Sequence, residues 1–348
     1  MGTRRFPGHG ATDARRSTPH GDADARRSTR HGAMGARRST PHSDANARRS
    51  ARRGGVMARF NVTLPTRSAA RPVLPGFVTD VRPARSDPAG PAGRAAELAG
   101  LSGALLPFDP EGQESLVLAA GVLRDSRHLR VIAEFHPGIA TPVYLAKLSA
   151  SLQRFSADRL GWRLAVDLDP AVARAQGDFL TGADRYARAE EFLTVAKGVW
   201  QGDFEYRGRF YQVAGGGFAA PLSGRVFPTV YLGGTSPEAL ELSARHADVH
   251  VFSPQDDLEA LTARLPGVAY GLRLPVLARE DDDEALAAAR RTGFTGLTGC
   301  YAAVAAAIGE YADRGVSEFF LEAGPRPEET YRLGEHLLPL LKESTHAG

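Results

Sequence analysis

The sequence predicts a closed (β/α)8 barrel, and three observations point to it. Short apolar runs alternate with helical patterns along almost the whole chain after residue 56. Most of these runs lack strict in–out alternation, as expected of parallel strands covered on their outer face by helices. Eight such units fit a barrel better than an open doubly wound sheet, and no GxGxxG follows the first strand.

The first 56 residues stand apart. They repeat every eleven residues, as DARRSTPHGDA from Asp13, DARRSTRHGAM from Asp24, GARRSTPHSDA from Gly35 and NARRSARRGG from Asn46. Large apolar residues are nearly absent, so segment 1–56 is expected to be a disordered tail. No apolar stretch follows its twin arginines, which argues against a secretion signal. A basic arm for nucleic acid or acidic membrane and a regulatory tail are two readings. The favoured one is a translated DNA repeat upstream of a natural start at Met57, with residues 57–348 as the barrel domain. The tail also explains the charge. It carries 13 Arg and 4 Asp, leaving 30 of the 43 basic and 36 of the 40 acidic residues to the body. The body is therefore mildly acidic and offers no electrostatic ground for nucleic acid binding.

Within the body, RFNVTLP (59–65) is the first strand, followed by a Pro/Gly-rich loop (68–91) long enough to be functional. A small-residue helix (92–100), the strand GALLP (103–107) and a helix (114–123) come next. LRVIAEF (129–135) is the third strand, closed by His136-Pro137-Gly138. Thr141-Pro142 starts a helix to 155, and the fourth strand is 162–166. An insert contains the helix RYARAEEFLTVAKGVW (185–200) and a hairpin, FEYRGRFYQV (204–213). The sixth strand is 248–252, with a helix at 257–265. VAYGLRLPVL (268–277) is the seventh, followed by helices at 283–290 and 301–314. SEFFL (317–321) is the eighth, and a helix at 327–341 ends the domain.

The fifth unit, FPTVYLGGTSPEA (227–239), carries the sharpest local signal. An apolar strand meets Gly233-Gly234. Thr235, Ser236, Pro237 and Glu238 then supply hydroxyl caps, a first-turn proline and an acid. A helix N-terminus behind a glycine turn presents free N–H groups and positive potential, which suits an anion, most often phosphate. An ordinary strand-to-helix connection has the same pattern, so these residues alone leave both readings open.

In a barrel, chemistry gathers where strands end. The rim residues are then Pro107-Phe108-Asp109, Glu134-Phe135-His136, Asp167-Leu168-Asp169, Gly233–Ser236, Ser253-Pro254, Arg273-Leu274-Pro275 and Glu322-Ala323-Gly324. None has metal-ligand spacing, and no Ser/His/Asp set stands out. His136 alone reads more readily as a packed or capping histidine than as a catalyst. Arg273 is a charge inside an apolar strand. It must pair within the barrel or face the mouth and hold an anion. One cysteine, Cys300, excludes an internal disulfide and fits a reducing, cytoplasmic setting. No apolar run reaches the ~18–20 residues of a membrane span.

Together these segments resemble the luciferase-like superfamily of flavin-dependent monooxygenases, and most closely the alkanesulfonate monooxygenases. The likeness rests on HPGIATPVYLAKLSASLQRFSADRL (136–160), RYARAEEFLTVAKGVW, FEYRGRFYQV, PTVYLGGTSPEALELSARHADVHV (228–251), YGLRLPVLARE (270–280) and RPEETYRLGEHLLPLL (326–341), in the family's order. It implies a barrel that takes reduced FMN from a separate NAD(P)H:flavin reductase. Oxygen activated on that flavin attacks a sulfonate, and the carbon–sulfur bond breaks to give an aldehyde and sulfite. It also implies a homo-oligomer. The FMN phosphate falls to Gly233, Gly234, Thr235, Ser236 and Tyr186. Arg273 holds the anionic substrate, with Tyr331 and His136 as polar partners. Several positions depart from the family pattern. Pro275 replaces a histidine, Ser253 a tryptophan and Gly112 a cysteine, and Arg163 or Asp167 stands where an asparagine is usual. Only 290–299 bridges the two helices after the seventh strand, where the family carries a long lid. Two other functions therefore stand beside the first: a deazaflavin-dependent oxidoreductase, and a catalytically silent flavin- or anion-binding paralogue.

Overall fold

The computed structural model describes residues 58–68, 73–79, 81, 87–324 and 326–346. The predicted start at Met57, the repeat segment and part of the first loop lie outside them.

Eight parallel strands close on themselves. They are β1 (Arg59–Thr63), β2 (Gly103–Leu106), β3 (Arg130–Phe135), β4 (Leu160–Leu164), β7 (Thr229–Gly233), β8 (Val249–Phe252), β9 (Ala269–Arg279) and β11 (Val316–Glu322). The β8–β9 pairing completes the ring begun at β1–β2. Between β4 and β7 lies an antiparallel hairpin of β5 (Phe204–Arg207) and β6 (Gln212–Gly216). β10 (Leu297–Cys300) runs outside the ring along the far end of β9, Val276–Arg279. At eleven residues β9 overhangs the barrel, and β10 pairs with the overhang, covering an otherwise open edge.

The helices start where their sequence says they should. They are α1 (Gly90–Leu98), α2 (Ser115–Asp125), α3 (Pro142–Ser156), α4 (Pro170–Ala175), α5 (Ala183–Gln201), α6 (Pro237–His246), α7 (Leu258–Thr262), α8 (Asp282–Thr292), α9 (Tyr301–Asp313), α10 (Pro327–Arg332) and α11 (Leu338–His346); a π-helical turn, Leu333–Leu337, joins the last two. Thr141 caps α3 by accepting from the Tyr144 amide at 3.3 Å, ahead of Pro142. α8 has three acids in its first turn, Arg290 and Arg291 in its last, and Gly293 at φ +65° behind it.

Two layers of core follow from strand alternation. Leu105, Ile132, Tyr231, Val249, Val251 and Phe320 point inward and fill the middle of the barrel. Alternate residues pack outward against the helices. Trp162 is the largest of these, with ring centroids 5.2 Å from Phe135, 6.1 Å from Phe192 and 5.1 Å from Phe227. Its indole donates to Ser149 Oγ at 2.8 Å, so the ring is buried without an orphaned N–H. This cluster fixes α5 against β3 and β4, which decides where Tyr186 stands.

Candidate active site

Above the apolar layer, the same inward alternation brings Glu134, Arg163, Gly233, Arg273 and Glu322 to the mouth. Arg163 is in register with Glu134, and Arg273 with the inward Phe320. Arg163 Nη1 donates to Glu134 Oε1 at 2.7 Å. Arg273 Nε donates to Glu322 Oε1 at 2.8 Å, and Nη2 bonds the same oxygen. The Glu134 carboxylate also accepts from the Phe108 amide at 3.1 Å, tying the β2 loop to the floor. Burial pushes the Arg163 guanidinium below its ordinary value; Glu134 and Glu322 oppose this, while Arg273 adds to it. The four groups thus feel one another as a single neutral set. Arg163 Nε and Thr63 Oγ1 are buried there without a protein partner. The Arg273 side chain keeps 39% of its surface exposed, so it faces the mouth rather than the core.

Beside this floor stands the glycine turn. β7 ends at Gly233, Gly234 takes φ +105°, and Ser236 caps α6 by accepting from the Ala239 amide at 3.2 Å. Among the described residues, the amide N–H groups of Thr235, Ser236 and Glu238 meet no protein acceptor. Tyr186, near the start of α5, is buried and directs its hydroxyl here. A Cβ on Gly234 would lie 3.7 Å from that oxygen. Ser236, the cap of α6, stands beside it and works to lower the phenol. The strand, glycine turn and capped helix expected from 227–239 are therefore present, and Tyr186 joins Gly233, Gly234, Thr235 and Ser236 across 50 residues of sequence. One neighbour was not foreseen as part of this seat. The Tyr186 hydroxyl donates to the Asp167 carboxylate. Burial first, and that bond second, push the Tyr186 phenol up to about 12.

His136 and Tyr331 occupy different places. His136 is 1% exposed and engaged on both ring nitrogens. Nδ1 donates to the Ala165 carbonyl at 2.8 Å, and Nε2 lies 2.7 Å from Asp178 Oδ2. Arg188 reaches both oxygens of Asp178, at 3.0 and 2.7 Å. Burial works to raise the Asp178 carboxyl, but the bonds from Arg188, the Leu180 amide and His136 outweigh it and hold the group down to about 2. The set is a strut from the β3 and β4 loops to α5, two residues from Tyr186. The sequence expected His136 as a polar partner in the chemistry; in the structure it holds the wall that carries Tyr186. Tyr331, on α10, is exposed and is not drawn into this network.

The departures from the family pattern have local causes in part. At Gly112 a Cβ would come within 2.6 Å of Asp109 Oδ2 and of Thr66 Oγ1, so a cysteine cannot occupy this loop as it is folded. Ser253 sits in a turn, its amide donating to Asp256 Oδ2 at 2.8 Å. Pro275 lies against Gly296, where an added Cβ would come within 2.8 Å of its own. At the rim, Phe108, Gly112, Ser115, Ile139 and Gln176 line a cleft of about 200 Å³. A larger cavity, about 490 Å³, opens between the rim residues Pro254, Leu274 and Pro275, the segment before β10 and α9. The larger cavity presents Glu310, Tyr311 and Arg314, whereas the charged floor and the glycine turn bring together Arg273, Tyr186 and Gly233–Ser236. Among the described residues no cluster of three or more His, Cys, Asp or Glu could hold a metal, and no helix is long and apolar enough to cross a membrane.

Residues 58–336 match the family model described as luciferase-like monooxygenase. The chain belongs to this family. Similar solved structures of luciferase-like fold include EDTA monooxygenase (EmoA) from Chelativorans sp. BNC1, at 17% identity and a TM-score of 0.69, covering 82% of this chain and 94% of that one. The monooxygenase RslO1 from Streptomyces bottropensis is 20% identical with a TM-score of 0.63, over 81% of this chain and 99% of its own. An F420-dependent secondary alcohol dehydrogenase, solved with an F420–acetone adduct, is 12% identical with a TM-score of 0.65, over 82% and 99%. At these identities the likeness establishes the fold. For the flavin phosphate that this luciferase-like barrel implies, the seat has the required parts: free amides, a glycine where a Cβ would intrude, and two hydroxyls. The Asp167 carboxylate on its edge and Glu238 in the first turn of α6 oppose it.

Proposed function

We propose that this protein is an FMN-dependent monooxygenase that receives reduced flavin from a separate NAD(P)H:flavin reductase and uses O2 to cleave an alkanesulfonate to an aldehyde and sulfite. The observation that carries the flavin part is the convergence of Tyr186 and Ser236 on the free amides after Gly234. When bound, reduced FMN supplies the electrons that activate oxygen. The protein's own share is positioning. The amides of Thr235, Ser236 and Glu238 and the Tyr186 hydroxyl hold the phosphate. Arg273, exposed at the mouth, anchors an anionic substrate and steadies negative charge that develops there. Tyr331 is a polar partner of the reaction, and His136 positions α5 through Asp178 and Arg188. In the same reading the barrel spans 57–348, segment 1–56 is dispensable, and the protein works as a cytoplasmic homo-oligomer.

A second reading is favoured by one observation. Arg273 already bonds Glu322, and Arg163 already bonds Glu134, so a sulfonate must exchange with a carboxylate to reach Arg273. A neutral substrate has no such competition, as for a deazaflavin-dependent oxidoreductase acting on an alcohol or carbonyl. The test is sulfite release from a panel of alkanesulfonates with FMN, NADH and a generic flavin reductase, beside reduction of F420 with simple alcohols. Sulfite supports the first reading and reduced deazaflavin the second. Neither product, with flavin still bound, leaves a silent flavin-binding paralogue.

A further inference from the structure

We propose that Asp167 is an internal competitor for the cofactor's phosphate, so that this barrel discriminates against phosphate-bearing flavins relative to flavins without one. The inference rests on the flavin reading of the seat after β7 and concerns what this chain has placed in it.

The geometry is specific. A Cβ built on Gly234 would lie 3.6 Å from Asp167 Oδ2 and 3.7 Å from the Tyr186 oxygen. The carboxylate therefore hangs over the glycine that leaves room for a ligand. It takes the Tyr186 hydroxyl as its donor. A phosphate needs these groups. To use Tyr186 it must break the bond to Asp167, and it then lies beside that negative charge. Glu238, in the first turn of α6, adds a second carboxylate whose field reaches Tyr186. The nearest guanidinium from the barrel interior is that of Arg163, with Nη2 3.9 Å from a Cβ position on Gly233, and it is already paired with Glu134. Arg185, the residue before Tyr186, is committed to the Leu180 and Leu168 carbonyls at 2.9 Å each, so the unengaged charge nearest the turn is carboxylate and disfavours a dianion. Riboflavin ends in a hydroxyl at that position and meets no such repulsion; it can donate to Asp167 instead.

Asp167 belongs to the loop after β4 and is exposed, so it can swing into solvent when displaced. Replacing it leaves the barrel core untouched. Asn in its place keeps an acceptor for the Tyr186 hydroxyl and removes the charge.

The experiment is titration of oxidised FMN and of riboflavin, by quenching of flavin fluorescence, into wild type, Asp167→Asn and Asp167→Ala, with melting curves as controls. FMN is expected to tighten roughly ten- to hundredfold in both variants, the range for removing one like charge at close approach near a surface. Riboflavin affinity should change by less than about threefold, and the FMN-to-riboflavin ratio should rise accordingly. Unchanged FMN affinity, or an equal shift for both flavins, overturns the role of Asp167 while leaving the flavin site in place. Binding of neither flavin by any of the three proteins removes the flavin reading and this proposal with it.

Discussion

The two ends of the barrel place the same residue types in opposite surroundings. At the lower end, Glu318 is 2% exposed and is ringed by donors: Asn61 Nδ2 at 3.1 Å, Arg130 Nη2 at 2.8 Å, the Tyr231 hydroxyl at 2.9 Å and, more distantly, Arg59 Nη1 at 3.8 Å. Burial and the Glu318 charge push the Tyr231 phenol well above its ordinary range, so it stays a donor. At the upper end, two arginines and two glutamates form a neutral set with Arg273 facing the opening. The difference is one of access. A carboxylate closed in by four donors can only hold strands together. An arginine that shares one glutamate and keeps an open side can exchange that partner for a ligand. Residue type and inward position do not separate plug from site; exposure and the number of partners do.

Breaking the lower end should have the largest effect. In Glu318→Leu the half-buried Arg130 and the buried Tyr231 lose their shared acceptor, and we expect a loss of roughly 3–5 kcal/mol in urea unfolding. Retention of wild-type stability would show that the lower cluster is dispensable. The strut beneath the upper end should cost less. The Asp178 carboxyl is held at about 2 in the folded protein, below its usual 3.8. It therefore stabilises fully above about pH 4, and that contribution, roughly 2 kcal/mol, is lost as pH falls toward 2. In Asp178→Asn the acid limb of the stability curve should flatten, with a lower plateau at neutral pH; a curve parallel to wild type would contradict this. At the seat itself, Ser236→Glu should weaken FMN by roughly tenfold through like-charge repulsion and riboflavin much less, read by fluorescence quenching. Equal losses would place the phosphate elsewhere. Removing residues 1–56 should change neither the melting temperature nor flavin affinity, and a clear loss of either would make the repeat a working part.

Much of this was legible in the sequence because it is local. Alternating apolar runs and capped helices give the barrel, and Gly233-Gly234 with Ser236-Pro237 give the turn, each within a few residues. β10 was not, since LTGC has little strand character of its own and forms a strand because β9 overhangs the ring. The fourth strand begins two residues earlier than expected, at Leu160, where the apolar run gives no sharp boundary. What escaped was pairing over distance. Arg273 stood out as a charge in an apolar strand, but its partner Glu322 is 49 residues away. His136 was visible as a rim residue, while Asp178, 42 residues on, and Arg188 turn it into a strut. Arg188 did carry a signal: it lies on the buried face of α5 among Tyr186, Ala189 and Phe192, where an arginine requires a partner.

The contrast between plug and site meets its most direct test in Arg273→Met, measured for unfolding and for product formation on one preparation. A mouth-facing arginine with a half-open partner should cost less than about 1 kcal/mol of stability. The same change should cost roughly 2.7–4 kcal/mol of transition-state stabilisation, a hundred- to thousandfold in turnover. Unfolding of the variant, or turnover equal to wild type in an intact fold, would show that the upper arginine is a second plug and that the chemistry lies elsewhere.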